Sequence, residues 1–472
     1  MKKLLLVYPN QSWQKQDFAT NWVLNPATLC QLASMVKDEV DVKITDANFY
    51  KLTKEEFSDI INDYKPDYVG ISVLTSEYGK TLDITAQLIK KINKNIIVIA
   101  GGVHAIIEYE NIIENSDIDY VVRGEGEIVL RDLIKFLKGR APLPEEGLVY
   151  KEGNRTIIQN HAIINDLDSL PWPDYSLVNF NEYINNVPRK GPLSAPKFPY
   201  YRITVTRGCP FGCSFCQVET IAGKKIRSRS AESVIDHLVY MKQNYGIKSL
   251  VIDDDNMLGK RDFFNEFLKL MISKKIDLPF IMGGVSVFLL NDELIDLMAR
   301  AHCFCVNIAI ESGNERVSKQ IIKKPLDLKK VPEIIKKIKG RGIYCLGNFM
   351  IGLPGEKWDE ILDTINYIET SGVDYAKIFI AIPLKKTRLW EMAAKFGSFV
   401  RDISNIEVDT RFGQLKGEDW SPKDVSILRA YEWDRINFGS VEKRKKMAEI
   451  WHLSEEELKK IRKDTRDAIT LF

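Results

Sequence analysis

The sequence predicts an α/β protein with a doubly wound, Rossmann-like N-terminal domain, a partial (β/α)6 TIM-like barrel and a small C-terminal helical region. Over residues 1–138, short β-branched runs alternate with amphipathic stretches, which is typical of a parallel sheet with helices on both faces. Over 200–390 the same alternation gives consecutive strand–helix units, which indicate a barrel or part of one. A proline-rich stretch separates these regions, and the pattern of 391–472 is mainly helical.

The N-terminal domain, 1–138, contains short strand candidates joined by amphipathic stretches. Thr53 and Glu56 have the spacing of a capping box, which predicts that one helix begins there. Ligands of such sheets bind beyond the carboxyl ends of the strands. The strand candidates are Leu4–Tyr8, Val42–Thr45, Tyr68–Leu74, Ile96–Ala100 and Tyr120–Val122.

Prolines dominate residues 139–199, which predicts an ordered linker over the surface and not a core. The barrel follows, and its chemistry is expected at the carboxyl ends of its strands. In the C-terminal region, Ser421 and Ser454 have the pattern of helix starts. The barrel strand candidates are Arg202–Thr206, Ser249–Asp253, Phe280–Gly283, Cys303–Ile310, Tyr344–Ile351 and Tyr375–Ile382.

Composition and charge narrow the classes of partner. Lys and Arg number 67 and Asp and Glu 65, without a polybasic block, so neither nucleic acid nor an anionic membrane is favoured as a partner. The first apolar run stops at Tyr8-Pro9, too early for a signal peptide, and no apolar stretch approaches the roughly 18–20 residues of a membrane helix. We therefore expect a cytoplasmic protein. Its 7 cysteines are too few for a disulfide framework in 472 residues.

Three of these cysteines, Cys209, Cys213 and Cys216, follow the first barrel strand directly. Gly208 and Gly212 allow the chain to curl, so the three thiolates can converge. Structural zinc sites and ordinary four-iron clusters need four protein ligands. Three cysteines without a fourth ligand would leave one metal corner free for a substrate or cofactor.

An alternative is a zinc site that a distant ligand completes. Cys303, Cys305 and His237 are the candidates for that ligand. Closed zinc sites more typically bring their ligands as two close pairs, and Cys303 and Cys305 alternate with apolar residues as buried cysteines do. The pattern therefore favours the three-cysteine site.

The Cys-x-x-x-Cys-x-x-Cys motif after a first barrel strand resembles the signature of the radical S-adenosylmethionine (radical SAM) superfamily. Further segments resemble, in the same order, the branch that joins this barrel to a cobalamin-binding domain, the class B methylase-like enzymes. These segments are Asp166–Pro173, Ile226–Ser230, Asp253–Asn256, Ile310–Asn314 and Phe349–Glu356.

The resemblance implies a 4Fe–4S cluster on the three cysteines, with S-adenosylmethionine (SAM) chelated to the open iron. In the family, one electron from the reduced cluster splits SAM and yields a 5′-deoxyadenosyl radical. The resemblance also implies that Phe215 packs near the adenine, with sealing of the cluster from solvent as the alternative role. It further implies contacts to the cofactor or substrate from six other residues: Arg227, Arg229, Asp253, Asp254, Glu311 and Ser312.

The N-terminal domain resembles cobalamin-binding domains at two places. Ser72 and Leu74 match a serine-x-leucine element, and Gly101 and Gly102 match a double glycine that would let the backbone approach the nucleotide tail. The element that supplies a histidine to cobalt in some relatives is absent after the first strand. His104 is interpreted as a loop residue.

Together these features favour a cobalamin-dependent radical SAM methyltransferase that methylates an unactivated carbon of a small molecule or peptide. One alternative keeps both cofactors but catalyses cyclisation, rearrangement or oxidation without methyl transfer. Another is a non-catalytic iron–sulfur or zinc protein. The leading hypothesis also requires an electron donor, such as flavodoxin or ferredoxin.

Overall fold

Both predicted α/β regions form parallel sheets, and each sheet belongs to its own compact unit. The first unit comprises Met1–Tyr183 together with Thr220–Ala222. The second comprises Ile184–Glu219 and the chain from Gly223 onward. The residues that this computed structural model describes are 1–14, 25–186, 195–400 and 411–467.

The first unit is built on a seven-stranded sheet. Its strands are β1 (Lys3–Tyr8), β2 (Asp41–Asp46), β3 (Tyr68–Ser72), β4 (Ile97–Gly101), β5 (Tyr120–Val122), β6 (Leu148–Glu152) and β7 (Arg155–Ile158). The strand order is β2-β1-β3-β4-β5-β6-β7, and the pairings among the first five are parallel. This order confirms the predicted doubly wound fold, with ligand sites expected where the order reverses beside β1.

Helices cover both faces of this sheet because its strands are apolar on both sides. Leu5 and Val7 pack in one core with Phe57, whereas Leu4 and Leu6 belong to the core on the other face. The predicted capping box is also present, since the Thr53 hydroxyl accepts a hydrogen bond from the Glu56 N–H at 3.1 Å. The helices are α1 (Ala27–Val36), α2 (Lys54–Tyr64), α3 (Lys80–Ile92), α4 (Val103–Ile112), α5 (Gly126–Leu137) and α6 (Phe180–Asn185).

Part of the predicted linker belongs to the first unit. Strands β6 and β7 lie within 139–199, and β6 extends the sheet by pairing antiparallel with β5. Farther along, Ile164, Leu167 and Leu170 form a small buried apolar group. The first unit therefore continues well past residue 138, while 187–194 lie outside the described residues.

The second unit contains the predicted open barrel. Its strands are β8 (Tyr200–Ile203), β9 (Thr206–Arg207), β10 (Arg227–Ser228), β11 (Ser249–Ile252), β12 (Phe280–Val285), β13 (Cys303–Glu311), β14 (Tyr344–Ile351) and β15 (Tyr375–Ile380). Six of them form a parallel sheet in the order β15-β14-β13-β12-β11-β8, and β9 pairs with β10 separately. Within the described residues no pairing joins β15 to β8, so the sheet is a partial (β/α)6 barrel.

C-terminal helices cover the edge strand of this barrel. The Asn437 side chain accepts a hydrogen bond from the Ala376 N–H at 2.8 Å and donates one to the Ala376 carbonyl at 2.9 Å, so both backbone groups of Ala376 are paired at this edge of β15. The predicted helix starts at Ser421 and Ser454 are confirmed by capping hydrogen bonds. The helices that follow α6 along the chain are α7 (Val218–Ala222), α8 (Ala231–Tyr245), α9 (Arg261–Ser273), α10 (Asp292–Arg300), α11 (Val331–Gly340), α12 (Trp358–Ser371), α13 (Arg388–Lys395), α14 (Pro422–Phe438), α15 (Val441–Ile450) and α16 (Glu455–Asp467).

None of the helices in the described parts of the chain combines the length and the apolar character that a membrane span requires.

Candidate active site

The three predicted ligand cysteines share one loop, residues 208–216, which we call the cysteine loop. It begins directly after β9, close to the carboxyl end of the first barrel strand, as predicted. Cys209, Cys213 and Cys216 are all partly exposed free thiols. Because β9 pairs antiparallel with β10, the two ends of the segment that carries the cysteines are held together.

Gly208 sets the path of the chain into this loop. Its φ of +96° lies in a region that side chains rarely adopt, and a Cβ there would lie 2.4 Å from the Lys225 carbonyl oxygen. Its N–H donates to Oδ2 of Asp255 at 2.8 Å. No larger residue fits this position without movement of the backbone.

The acidic segment, Asp253–Asn256, fastens the cysteine loop to the second barrel strand. Asp254 Oδ1 accepts hydrogen bonds from the N–H groups of Val205 at 2.7 Å and Thr206 at 3.0 Å. Asn256 Nδ2 donates to Cys209 Sγ at 3.5 Å. Asp254 is buried, its Oδ2 has no partner among the described residues, and burial raises its pKa to about 7.

Asp253 has a different environment from Asp254. Its carboxylate forms an ion pair with Arg202 of β8. A Cβ on Gly283 of β12 would lie 3.2 Å from Asp253 Oδ1, so this glycine leaves the carboxylate the room it occupies. Asp253 therefore bridges the first three barrel strands.

Glu311 ends β13 in a left-handed conformation, with a φ of +72°. Its carboxylate forms a buried ion pair with Lys324, at 3.1 Å from Oε1 to Nζ. Burial raises the pKa of the Cys213 thiol, and the Lys324 ammonium acts in the opposite direction. The Glu311–Lys324 pair is thus an electrostatic neighbour of the cysteine loop.

Cys216 is the second thiol of the cysteine loop whose pKa is raised. Burial raises its pKa to about 11, and the Val218 N–H partly offsets this shift. Since the thiolate is the metal-binding form, a bound metal must displace the proton of this thiol.

Phe215 packs the cysteine loop against the barrel. It contacts a buried apolar group that includes Ile322 and Leu389, and Met350 of β14 packs against the same group. Backbone hydrogen bonds of Ser214 join the loop to the same two residues, at 2.9 Å to the Ile322 carbonyl and 2.8 Å from the Leu389 N–H. These contacts support the sealing role proposed for Phe215.

Three further candidates are embedded in the framework. Arg227 and Arg229 are buried, and Arg229 adds to the burial that lowers the pKa of His237 to about 3. Ser312 is fully buried, and its hydroxyl lies 3.1 Å from the Thr364 hydroxyl. Any contact that these residues make to a cofactor would come from side chains already held on other sides.

The candidate ligands of the zinc alternative lie elsewhere. Cys303 and Cys305 are buried in β13, and His237 Nε2 lies 2.9 Å from the Tyr201 hydroxyl. Among the described residues, no group of three or more His, Cys, Asp or Glu side chains is arranged to hold a single metal ion. A four-iron cluster does not need such an arrangement around a single ion, because each thiolate binds a different iron of the cluster.

In the first unit, the loops after β3 and β4 run side by side. The Val73 N–H donates to the Gly101 carbonyl at 3.1 Å. Gly102 has a φ of +87°, and a Cβ there would lie 2.5 Å from the Val73 carbonyl oxygen. Gly101 differs from it, since the nearest atom to a Cβ on Gly101 would lie 3.9 Å away.

A cavity opens where β1, β2 and β3 end. The Ser72 hydroxyl is buried without a hydrogen-bond partner in the described part of the chain, so it can bind a ligand atom. Burial raises the pKa of Asp46, at the end of β2, to about 6. Residues that line the cavity include Tyr8, Gln11, Asp46, Ser72, Leu74 and Tyr78.

The prediction that His104 lies in a loop is wrong. His104 is the second residue of α4, and its Nδ1 lies 3.2 Å from the Ser76 hydroxyl.

Comparison with known sequences accounts for both units. Residues 203–368 match the radical SAM superfamily, and residues 23–134 match the B12 binding domain. An uncharacterized methyltransferase of Pyrococcus horikoshii is 34% identical over 83% of this chain and 83% of its own length. The chain belongs to the radical SAM superfamily.

Other relatives of this radical SAM protein differ in the reactions that their names state. The cytidylyl-2-hydroxyethylphosphonate methyltransferase of Streptomyces wedmorensis is 27% identical over 81% of this chain and 77% of its own length. The anaerobic magnesium-protoporphyrin IX monomethyl ester cyclase of Rubrivivax gelatinosus is 26% identical over 77% of this chain and 64% of its own length.

A solved structure confirms the fold. The radical SAM methyltransferase TsrM from Kitasatospora setae, solved with cobalamin and a 4Fe–4S cluster, superimposes with a TM-score of 0.69 at 17% identity. The match covers 85% of this chain and 76% of TsrM.

The residues present fit the cofactors of this radical SAM enzyme, which are a 4Fe–4S cluster, SAM and cobalamin. The cysteine loop offers three partly exposed thiols, a donor set that suits a cluster with one open iron. The unpartnered Ser72 hydroxyl and the close approach at Gly102 suit a cofactor that enters beside the β3 and β4 loops.

Sequence reasoning missed two residues near the cysteine loop. The sequence indicates Asn256 only as the last residue of the Asp253–Asn256 segment, although its amide contacts Cys209. Nothing in the sequence distinguishes Lys324 from the other lysines. Its role becomes visible only when the turn after β13 folds back and pairs it with Glu311.

Proposed function

We propose that this protein is a cobalamin-dependent radical SAM methyltransferase that methylates an unactivated carbon of a small molecule or peptide. The observation that carries the proposal is a three-cysteine loop at the mouth of a partial barrel, joined in one chain to a B12 binding domain. When bound, the cluster and SAM supply radical chemistry, and cobalamin supplies methyl-group transfer.

Cys209, Cys213 and Cys216 would hold the cluster, and the acidic segment would hold their loop in place. Asp254 and Asp255 bind backbone N–H groups on the way into the loop, which fixes its position before any cofactor binds. A loop that is held in place in this way keeps the reacting groups in a fixed position relative to one another.

The side of SAM that faces the barrel would be contacted by residues at strand ends. Glu311 is the last residue of β13 and Ser312 comes directly after it. Arg227 lies in β10, and Arg229 comes directly after that strand. Phe215 would exclude water from the cluster side, because it already packs on the apolar group of the barrel. Asp254 would support this arrangement through the chain that enters the loop, and Asp253 through its ion pair with Arg202.

For cobalamin, Ser72, Leu74, Gly101 and Gly102 are the proposed contacts. Ser72 and Leu74 line the cavity at the ends of the first strands. Gly102 lets the two loops approach each other, and Ser72 offers a hydroxyl with an unmet hydrogen bond. An electron donor such as flavodoxin or ferredoxin would supply the reducing electron.

Methyl transfer is supported by the names of two relatives, which are methyltransferases. The test uses anaerobic, reconstituted enzyme with reductant, cobalamin and SAM that carries a deuterated methyl group, incubated with small-molecule extracts. Methyl transfer predicts a product that gains the labelled methyl group, together with both 5′-deoxyadenosine and S-adenosylhomocysteine.

A second candidate is cyclisation, rearrangement or oxidation without methyl transfer, which the name of the cyclase relative favours. In the same experiment it predicts 5′-deoxyadenosine alone, with no labelled methyl group in any product. A product that carries the labelled methyl group would therefore exclude this candidate, and a product formed with 5′-deoxyadenosine but without the label would exclude methyl transfer.

A further inference from the structure

A row of side chains crosses three adjacent strands of the barrel. Ala309 of β13 is registered with Asn348 of β14, which in turn is registered with Lys377 of β15. Registered residues of parallel strands project to the same face of a sheet. These three side chains therefore lie next to one another on one face.

That face is the one that carries the cysteine loop. Gly347 and Phe349 belong to the opposite face, because a Cβ on Gly347 would lie 2.7 Å from the Phe349 ring. Met350 is two residues beyond Asn348, so it shares the face of Asn348, and it packs on the same apolar group as Phe215. At about 3.3 Å per residue, the row lies roughly 7 Å farther from the mouth of the barrel than Met350.

Polar atoms of this face lack partners. Within the described residues, Lys377 Nζ makes no hydrogen bond or ion pair, and Asn348 Oδ1 is buried without a partner. Asn307, two residues before Ala309 on β13, also has a buried and unpartnered Oδ1. Buried polar groups normally have hydrogen-bond partners, so a bound ligand could supply the partner that each of these atoms lacks.

Lys377 is poorly solvated as well as unpaired. It is partly buried, and burial lowers its pKa to about 8. Two other cations of the barrel have anionic partners, since Arg202 pairs with Asp253 and Lys324 pairs with Glu311. A cation without a counter-ion in such a place is costly unless a bound anion compensates it.

We propose that Lys377 and Asn348 form a substrate subsite for an anionic group, a carboxylate or a phosphate-like group, with a hydrogen-bond donor beside it. The ammonium group would pair with the anion, and the Asn348 oxygen would accept from a neighbouring hydroxyl or amine. This inference rests on the proposed function, because it names the substrate class for the same barrel.

The experiment measures anion binding to the anaerobic holoenzyme by calorimetry, with SAM at saturation so that the cofactor site is filled. O-phosphoserine is the main probe, since it carries a phosphate, a carboxylate and a donor. Serine and inorganic phosphate are the companion probes, and they distinguish carboxylate from phosphate recognition. Wild-type protein should bind O-phosphoserine, and Lys377→Met should weaken that binding at least about tenfold.

Matched variants separate binding from folding. Lys395→Met, which removes an exposed lysine at the end of α13, should bind like wild type, and Lys377→Arg should restore much of the lost affinity. Lys377→Met should unfold at no lower a temperature than wild type, because it removes an unpaired charge; a lower melting temperature would indicate a structural role and overturn the inference.

Three other outcomes would also overturn it: no probe binds to wild type with or without SAM, Lys377→Met binds as tightly as wild type, or the probe binds only when SAM is left out. The last result would assign the row to the cofactor. Because probe binding needs no turnover, a negative result leaves the proposed methyl transfer untouched, and absence of methyl transfer leaves the binding result untouched.

Discussion

The amide of Asn256 donates a hydrogen bond to the sulfur of a ligand cysteine, Cys209. Hydrogen bonds to cluster sulfurs raise the reduction potential, because they stabilise the added electron. We therefore expect Asn256→Leu to lower the midpoint potential of the cluster in a redox titration monitored by electron paramagnetic resonance. Its matched control, Asn244→Leu, removes an amide that bonds only within α8 and should leave the potential unchanged.

Gly208 provides a second test at this scale. Gly208→Ala adds a Cβ that would meet the Lys225 carbonyl at 2.4 Å, so the cysteine loop must shift and iron retention should fall severalfold. Gly246→Ala is the control, since Gly246 also has a positive φ, of +63°, but open space around it. It should cost about 1 kcal/mol of stability and no iron. Equal iron content in the two variants would argue against steric control of the loop.

The sequence predicts the role of a single residue only where that role depends on the spacing of residues close together in the chain. The spacing of Cys209, Cys213 and Cys216 is local, and it was sufficient to place them in one loop. Lys324 and Lys377 acquire their surroundings from chain folding and strand register, which one sequence does not reveal. The face on which Lys377 lies is a property of the sheet, since a shift of one residue would reverse it.

At the scale of elements, two buried carboxylates hold the turns that follow barrel strands. Asp254 accepts from two N–H groups before the cysteine loop, and Glu356 accepts from those of Gly352 and Leu353 at 2.8 and 2.9 Å after β14. Burial raises the pKa of Asp254 to about 7 and of Glu356 to about 8. Each carboxyl group therefore holds a turn in place through its hydrogen bonds. Its ionised form is nevertheless less favourable in the folded protein, because the group is buried.

Variants of Asp254 separate the two effects. Asp254→Ala leaves two buried N–H groups without an acceptor, and we expect a loss of stability on the order of 3 kcal/mol. Asp254→Asn keeps an acceptor and should be much milder. Denaturant unfolding monitored by circular dichroism compares them; equal losses in the two variants would contradict the fastening role.

The same carboxyl predicts a pH dependence. Its pKa rises from 3.8 unfolded to about 7 folded, so the folded state holds the proton more tightly. Its contribution to stability is therefore present below pH 4 and is lost as the pH rises toward 7. Asp254→Asn should gain stability relative to wild type between pH 5 and pH 8, and an unchanged difference over that range would contradict the shifted pKa.

The sequence predicts whether a segment is a strand or a helix better than it predicts the sheet to which a strand belongs. The alternation of apolar runs and amphipathic stretches correctly predicts the parallel strands, because buried parallel strands need apolar residues on both faces. The β6–β7 hairpin falls in the segment predicted as a linker, because the prolines before and after it dominate the pattern and its short strands carry no sign of the sheet that they join. Strand partners far apart in the chain are set by packing.

On the scale of the whole molecule, the account predicts that the two cofactors depend on separate sets of residues. Gly102→Ala would place a Cβ 2.5 Å from the Val73 carbonyl and should reduce bound cobalamin while iron content stays at the wild-type level. Gly153→Ala, in the open turn between β6 and β7, is the control for a positive φ without a clash. Cobalt and iron are measured in the same sample, and a parallel loss of both metals would contradict this separation.

The central claim is that three thiolates hold a four-iron cluster and leave one iron open to SAM. Mössbauer spectra of iron-enriched, anaerobic protein, recorded with and without SAM, test it directly. We predict that SAM changes the signal of a single iron of the cluster and leaves the others as they were. A cluster whose spectrum does not respond to SAM, or a protein that binds zinc in place of iron, would contradict it.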